Sequence, residues 1–340
     1  MSAYLNARVS LFKERIWPMP ALDRLARAAE QDLAPVLEEG GLPLLALGFG
    51  GKDTLSLEGR IIAHLLEETR ILVRPLRDAP RQFLIYWAER FEVSNVKTLL
   101  RAKMSGERPA VVGPRLINMG AFARLDTATL VHTEDVAELF RKLEASPYAD
   151  IVRHARRAFE ESHDPFILEA MLDRAYYEGL VRRARQLEKT SCRQMHTLMA
   201  DMIDRINLIW MMRYRFNYNL PAAQVYYLLV SNGYRLSADV LKSLVTRNSP
   251  EEMLEQLPEG LARKLDDAQG IYACFGRLER GAMDNARRIL ASGGDALCRA
   301  FAYLIVREHN LRSVRAVLRG RHLQLPVADI QQAIGQAEVA

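Results

Sequence analysis

The stretch Asp204-Arg205-Ile206-Asn207-Leu208-Ile209-Trp210-Met211-Met212-Arg213-Tyr214-Arg215 sets an asparagine three residues after an acid, then an apolar helical run ending in two basic residues. The same order occurs on either side of it. Upstream lies Glu92-Val93-Ser94-Asn95-Val96-Lys97-Thr98-Leu99-Leu100-Arg101-Ala102-Lys103, and downstream Glu308-His309-Asn310-Leu311-Arg312-Ser313-Val314-Arg315-Ala316-Val317-Leu318-Arg319. Each segment then reaches a proline. Asn95 to Pro109 and Asn207 to Pro221 both span 14 positions, and Asn310 to Pro326 spans 16. A short helix starting at the proline explains that spacing, because proline fits the first helical turn. The third copy departs at two places: Arg307 stands where the others carry an acid, and its basic pair is shifted.

The asparagines are 112 and 103 positions apart, which divides the 340 residues into three units of about a hundred residues each. The expected units are 1–118, 119–236 and 237–340. Helix punctuation supports an all-α chain. Ser249-Pro250-Glu251-Glu252 supplies an N-cap, a first-turn proline and a capping-box glutamate, and Asp164-Pro165 opens a helix in the same way. From there Leu168, Met171, Leu172, Ala175, Tyr176, Leu180, Ala184 and Leu187 recur at three- and four-residue steps. Thr133-Glu134-Asp135 and Ser237-Ala238-Asp239 read as further starts, and no strict alternation bounded by hairpin turns occurs.

Composition bounds the function. With 49% hydrophobic and 26% charged residues the chain can bury a real core, and its net charge of +5 suits an anionic partner of any kind. No apolar run approaches the roughly 20 residues of a membrane-spanning helix, and Met1–Ser10 lacks the apolar core of a secretory signal. Three cysteines without a Cys-x-x-Cys pair predict reduced thiols.

Motifs for chemistry fail one by one. Gly48-Phe49-Gly50-Gly51-Lys52-Asp53-Thr54 imitates a phosphate loop, but Ala46 holds its first glycine position and Asp53 replaces the magnesium-binding hydroxyl. Asp266-Asp267-Ala268-Gln269-Gly270 lacks the third aspartate of a prenyl-transferase magnesium site, so surface carboxylates are expected. The seven histidines form no ligand pair at helical spacing, and no nucleophile has a positioned base beside it. The expectation is a non-enzyme with no cofactor and no metal.

At these residues the chain resembles the V-type ATPase component known as C in archaeal and bacterial complexes and as d in eukaryotic ones. That family carries a threefold internal repeat with an acid-x-x-Asn-aliphatic-basic pattern, closely matched by Asn95-Val96-Lys97-Thr98-Leu99-Leu100-Arg101 and by Asp204 to Asn207. Tyr4-Leu5-Asn6-Ala7-Arg8-Val9, Leu172-Asp173-Arg174-Ala175-Tyr176-Tyr177 and Gly233-Tyr234-Arg235-Leu236-Ser237 are similar to further family segments, in family order along the whole chain. The resemblance implies a pseudo-threefold funnel of three helical bundles. It also implies a non-catalytic socket between the membrane rotor ring of proteolipid subunits and the central stalk. Such a socket passes torque between ion transport and ATP synthesis or hydrolysis. It is peripheral to the cytoplasmic face of the membrane, monomeric alone, present once per complex and free of nucleic acid. A helical-repeat scaffold and a basic nucleic-acid adaptor are the alternatives from other classes.

Eleven residues are candidates for interface or repeat roles. Asn95, Asp204, Asn207 and Asn310 suit either a cap or inter-helix hydrogen bond, or contact with ring or stalk. Arg101, Lys103, Arg213 and Arg215 suit solvated helix ends or an interface, while Arg312, Arg315 and Arg319 share one helix face.

Overall fold

The computed structural model describes residues 2–46, 54–189, 193–231, 233–265 and 271–339. Those residues form helices and turns, with no strand among them, so the chain is all-α. The phosphate-loop-like segment up to residue 53 and the acidic segment 266–270 lie outside the described residues.

The helices longer than ten residues are, in chain order, α1 (Ser2–Lys13), α2 (Thr54–Val73), α3 (Asp78–Ala88), α4 (Arg90–Met104), α5 (Ala149–Ser162), α6 (Pro165–Glu188), α7 (Arg193–Met212), α8 (Ile271–Ala291), α9 (Ala296–His322) and α10 (Val327–Val339). Their starts follow the expected chemistry. The Asp164 carboxylate accepts from Phe166 N–H at 2.8 Å, and the Ser249 hydroxyl from Glu252 N–H at 3.2 Å. The Glu252 carboxylate accepts in turn from Asn248 N–H at 3.1 Å, one residue ahead of the N-cap, so it braces the helix start without closing a strict capping box. The expected start at 133–135 falls on Asp135, whose carboxylate accepts from Glu138 N–H at 2.7 Å. Helices also begin at or just after each repeat proline: Pro109–Val112, Ala222–Leu228 and Val327–Val339.

The core is a continuous apolar body that gathers residues from both ends of the chain. α9 lies at its centre. Its successive residues Phe301, Ala302, Tyr303 and Leu304 are all fully buried, so it has no solvent face there and belongs between other helices. Burying a side chain such as Leu304 contributes about 1.5–3 kcal/mol. In α6 the apolar stripe seen in the sequence faces inward: Leu168, Met171, Leu172, Tyr176, Leu180, Ala184 and Leu187 are buried.

Named contacts fix how the helices run. Along α4 and α6, Lys97 meets Asp173 and Arg101 meets Glu169, so the two are antiparallel. Along α7 and α8, Gln194 meets Ser292, Asp201 meets Asn285 and Arg205 meets Glu279. Along α9 and α2, Arg307 meets Glu68 and Arg315 meets Glu58. Each repeat helix (α4, α7, α9) therefore packs antiparallel on a long helix (α6, α8, α2 in turn), and the third pairing leads back to the start of the chain. Because α6 also runs antiparallel to α7 (Tyr177 on Trp210, Phe166 on Tyr214) and α8 to α9 (Glu279 by His309, Leu290 by Arg299), the three repeat helices run parallel.

One sequence expectation fails. Cys298 is disulfide-bonded, while Cys274 keeps a buried free thiol. Disulfide pairing depends on distance in the fold, which local cysteine spacing does not report.

Candidate functional site

The repeat asparagines hold loops. Asn95 donates from Nδ2 to the Ile117 carbonyl at 2.8 Å, and its Oδ1 accepts from Ile117 N–H at 2.7 Å. Asn207 grips Val230 in the same two-way manner, at 3.0 and 2.9 Å. Asn310 grips Trp17, at 2.9 and 3.0 Å. A carboxamide carries a donor and an acceptor side by side, so it can satisfy both backbone groups of one residue, as a neighbouring strand would. The first two clamps reach 22 and 23 positions along the chain, whereas the third spans 293 and joins the two ends.

The residue three before each asparagine secures the same loops. The buried Glu92 carboxylate accepts from the N–H groups of Arg124 and Leu125, both at 2.9 Å, and from the Tyr148 hydroxyl at 2.6 Å. Asp204 accepts from the N–H groups of Tyr234, Arg235 and Leu236 at 3.2–3.3 Å, and from Arg235 Nε at 2.9 Å. In the third repeat segment, Arg307 reverses the polarity. It is wholly buried and donates to the Arg15 carbonyl at 2.6 Å, and its charge is matched by Glu68 at 3.2 Å. Burial pushes the Glu68 carboxyl up, but His64, Arg307 and the Tyr303 hydroxyl outweigh that and leave it at about 2.

Where the three parallel helices meet, charges alternate without a break. Arg90 of α4 pairs with Glu308 of α9 at 2.8 Å, and Glu308 with Arg312 at 3.1 Å. Arg312 lies 3.6 Å from Glu279 of α8, which pairs with Arg205 of α7 at 2.8 Å. This chain of five ties α4, α9, α8 and α7 together. Burial raises the Glu308 carboxyl, but Arg90 and Arg312 more than offset it and hold it below the usual carboxylate range. Glu279 is likewise lowered against burial, by His309, Arg205 and Arg312, and Glu308 drives the Arg312 guanidinium upward. Arg312 forms part of the wall of a pocket together with Glu58, Phe91, Glu308 and Arg315, and keeps 53% of its side chain accessible. Such a wall offers a wet, polar, stiff surface suited to docking, and no nucleophile or proton relay is assembled on it.

The remaining candidates divide. Arg101 makes a two-pronged pair with Glu169 at 2.9 and 3.1 Å. The Lys103 ammonium caps the carbonyls of Val131 and Thr133. α7 widens into a π-turn over Arg213–Asn217, in which Arg213 donates to the Tyr218 hydroxyl at 3.2 Å and Arg215 to the Val245 carbonyl at 3.2 Å. Arg315 pairs with Glu58 at 2.6 Å, and Arg319 is exposed at the end of α9. Thus Arg312 and Arg315 do share a face, but carboxylates already engage both. Arg90, Lys97, Asp173, Arg205, Glu279 and Glu308 were not among the candidates. Only the Glu308–Arg312 pair, four apart on one helix, carries a local signal. Among the described residues no group of three metal-ligating side chains occurs.

The family model described as ATP synthase (C/AC39) subunit matches residues 5–333. The chain belongs to that family. Three relatives are named as the C subunits of A-type ATP synthases. The one from Methanocaldococcus jannaschii is 21% identical, the match covering 98% of this chain and 86% of the relative. The one from Haloquadratum walsbyi is 24% identical, with 97% and 96% covered. The one from Methanothermobacter thermautotrophicus is 27% identical over 70% of this chain and 62% of its own length. As a member of the C/AC39 family, the chain is one component of a rotary ATP synthase type of complex. No helix among its described residues is long and apolar enough to cross a membrane.

Proposed function

We propose that this C/AC39-family chain is the non-catalytic rotor connector of its complex. It is a socket, one copy per complex, that joins the proteolipid ring to the central stalk at the cytoplasmic face of the membrane and carries torque between them. The observation that carries this reading is the charge chain Arg90–Glu308–Arg312–Glu279–Arg205, which links all three parallel repeat helices. A part that transmits torque must not shear, and helices cross-linked by ion pairs around a close-packed core resist shear. In this reading the three units, 1–118, 119–236 and 237–340, surround a pseudo-threefold axis, and the third borrows Trp17 to complete its clamp. The accessible side of Arg312 faces the space that receives the stalk. A nucleic-acid adaptor gains little from the geometry, because Arg101, Arg312 and Arg315 are already paired with carboxylates.

The test is reconstitution. The purified chain is expected to bind detergent-solubilised proteolipid rings and, separately, the central-stalk proteins of the same complex, and to turn over no ATP alone. Failure to bind either partner, or nucleotide affinity in the micromolar range by calorimetry, overturns the reading.

A further inference from the structure

The three parallel repeat helices end in turns of one design. After α4, Gly106 adopts φ +65° and Glu107 N–H returns to the Ala102 carbonyl at 2.9 Å. After α9, Gln324 adopts φ +55° and Leu325 N–H returns to the Gly320 carbonyl at 3.0 Å. After the π-turn that extends α7, Asn219 adopts φ +53° and Leu220 N–H returns to the Tyr214 carbonyl at 2.9 Å. Each is a left-handed cap of the Schellman kind, or its one-residue-longer variant, followed within a few residues by the repeat proline. Only glycine takes that conformation without strain, so asparagine and glutamine there are held by the surrounding turn. Since the helices run parallel, the three turns lie at one end of the molecule.

That end is where apolar side chains are left in water. Val111 (47% accessible), Tyr218 (47%), Leu323 (58%) and Leu325 (45%) all stand in these turns or in the first turn after the proline. Tyr227, on the short helix after Pro221, adds a fifth exposed side chain. The other large exposed apolar residues among those described, Tyr4 and Leu11, lie on α1, where Asn6 and Ser10 meet Arg299 near the opposite end of α9. Cations flank the tips: Arg108, Arg213 and Arg319 are exposed.

We infer that these three turn tips are the surface on which the chain seats against the proteolipid ring, an inference that rests on the connector reading above. Three similar contacts around one axis suit a partner that repeats around the same axis, as a ring of identical subunits does. A stalk is one asymmetric body and suits the single polar wall at Arg312, which is not repeated in the other two units. Apolar tips with cations beside them also match a membrane-level face, where apolar surface meets anionic head groups.

The experiment compares the full-length chain with the variant Val111→Asp/Tyr218→Asp/Leu323→Asp/Leu325→Asp. Its probes are purified proteolipid rings in detergent, purified central-stalk proteins, and ring-free vesicles of anionic phospholipid. Expected are an unchanged circular dichroism spectrum, roughly tenfold or more weaker ring binding, and unchanged stalk binding. The same four positions changed to serine keep the test readable if aspartates disturb folding, and are expected to weaken ring binding in the same direction. Ring binding within twofold of the unaltered chain overturns the inference while leaving the connector reading intact. So does a loss confined to the stalk, or vesicle binding by the unaltered chain as tight as its ring binding. If the unaltered chain does not bind rings at all, the connector reading fails and this inference fails with it.

Discussion

Two clamps in this molecule are built on an acid and the third on an arginine, and the difference lies in what the held loop presents. Glu92 and Asp204 meet loops that turn N–H groups inward, so a carboxylate answers them. Arg307 meets a carbonyl, that of Arg15, so a guanidinium answers it. The position is thus defined by a job, satisfying the buried backbone of a returning loop, more than by a charge. Glu92 accepts from neutral donors, the two N–H groups and the Tyr148 hydroxyl, while Asp204 adds the half-exposed Arg235 guanidinium to its N–H donors. The buried arginine needs a counter-ion, and Glu68, itself fixed by the Tyr303 hydroxyl at 2.7 Å, supplies it.

That contrast has an energetic consequence. Arg307→Met leaves Glu68 buried without its closest buried cation, and breaking a buried pair by removing one partner costs about 3–5 kcal/mol. Glu92→Gln removes charge-assisted hydrogen bonds but strands no buried charge, for an expected cost of about 1.5–3 kcal/mol. Urea unfolding followed by far-ultraviolet circular dichroism checks both. Equal losses would mean that the reversed polarity carries no extra cost, and the comparison would break.

Acid sharpens the same contrast at a smaller scale. The Glu68 carboxyl is held at about 2, below its ordinary 4.5, so the folded state binds that proton less readily than the unfolded chain. Its contribution is therefore fully present above about pH 4.5 and fades as pH falls towards about 2. The stability gap between the unaltered chain and Glu68→Gln, measured by urea unfolding across that window, is expected to narrow as pH drops. A gap that stays constant would show that Glu68 acts through shape and not through charge.

Much of this was legible in the sequence, for identifiable reasons. The asparagine-to-proline spacing reports a helix, a cap and a second helix, all set by neighbours in sequence, and the caps at Asp135 and Ser249 are equally local. The partners of the clamps were not legible, because a carboxamide grips backbone and backbone carries no identity. Nothing in Ile117 or Val230 marks it as the residue held, and Trp17 lies at the other end of the chain from Asn310. The basic residues divided unpredictably for a related reason. Lys103 folds back onto the carbonyls of Val131 and Thr133, while Arg319 stays exposed, although both end an apolar helical run.

The asparagines themselves give the finest comparison, because their geometry is nearly the same at all three sites and their place in the chain is not. Each to-alanine change removes two hydrogen bonds to backbone and leaves an N–H and a C=O without their partner, and Asn310→Ala also removes a bond from Arg307 at 3.2 Å. At about 1 kcal/mol per bond, Asn95→Ala, Asn207→Ala and Asn310→Ala are each expected to cost about 1–3 kcal/mol. The local consequence should differ. The loops at Ile117 and Val230 are covalently tethered on both sides, so loss of the clamp leaves them close to their sites. Trp17 lies 293 positions from Asn310, so only a tie between the two segments holds it there. Arg307 and Asn310 form that tie, with Arg299 holding Asn6 at 2.6 Å further along. Asn310→Ala is therefore expected to speed tryptic cleavage at Arg15 and Arg24 and hydrogen exchange at Trp17. Asn95→Ala, of similar global stability, should leave both unchanged. Equal protection of the segment from Arg15 to Arg24 in the two variants would show that the third clamp does no more than the other two. It would then be a copy that happens to bridge the ends, and the ends would be held by their other contacts, among them α1 packing on α9 and Arg321 donating to the Ala26 carbonyl at 2.7 Å.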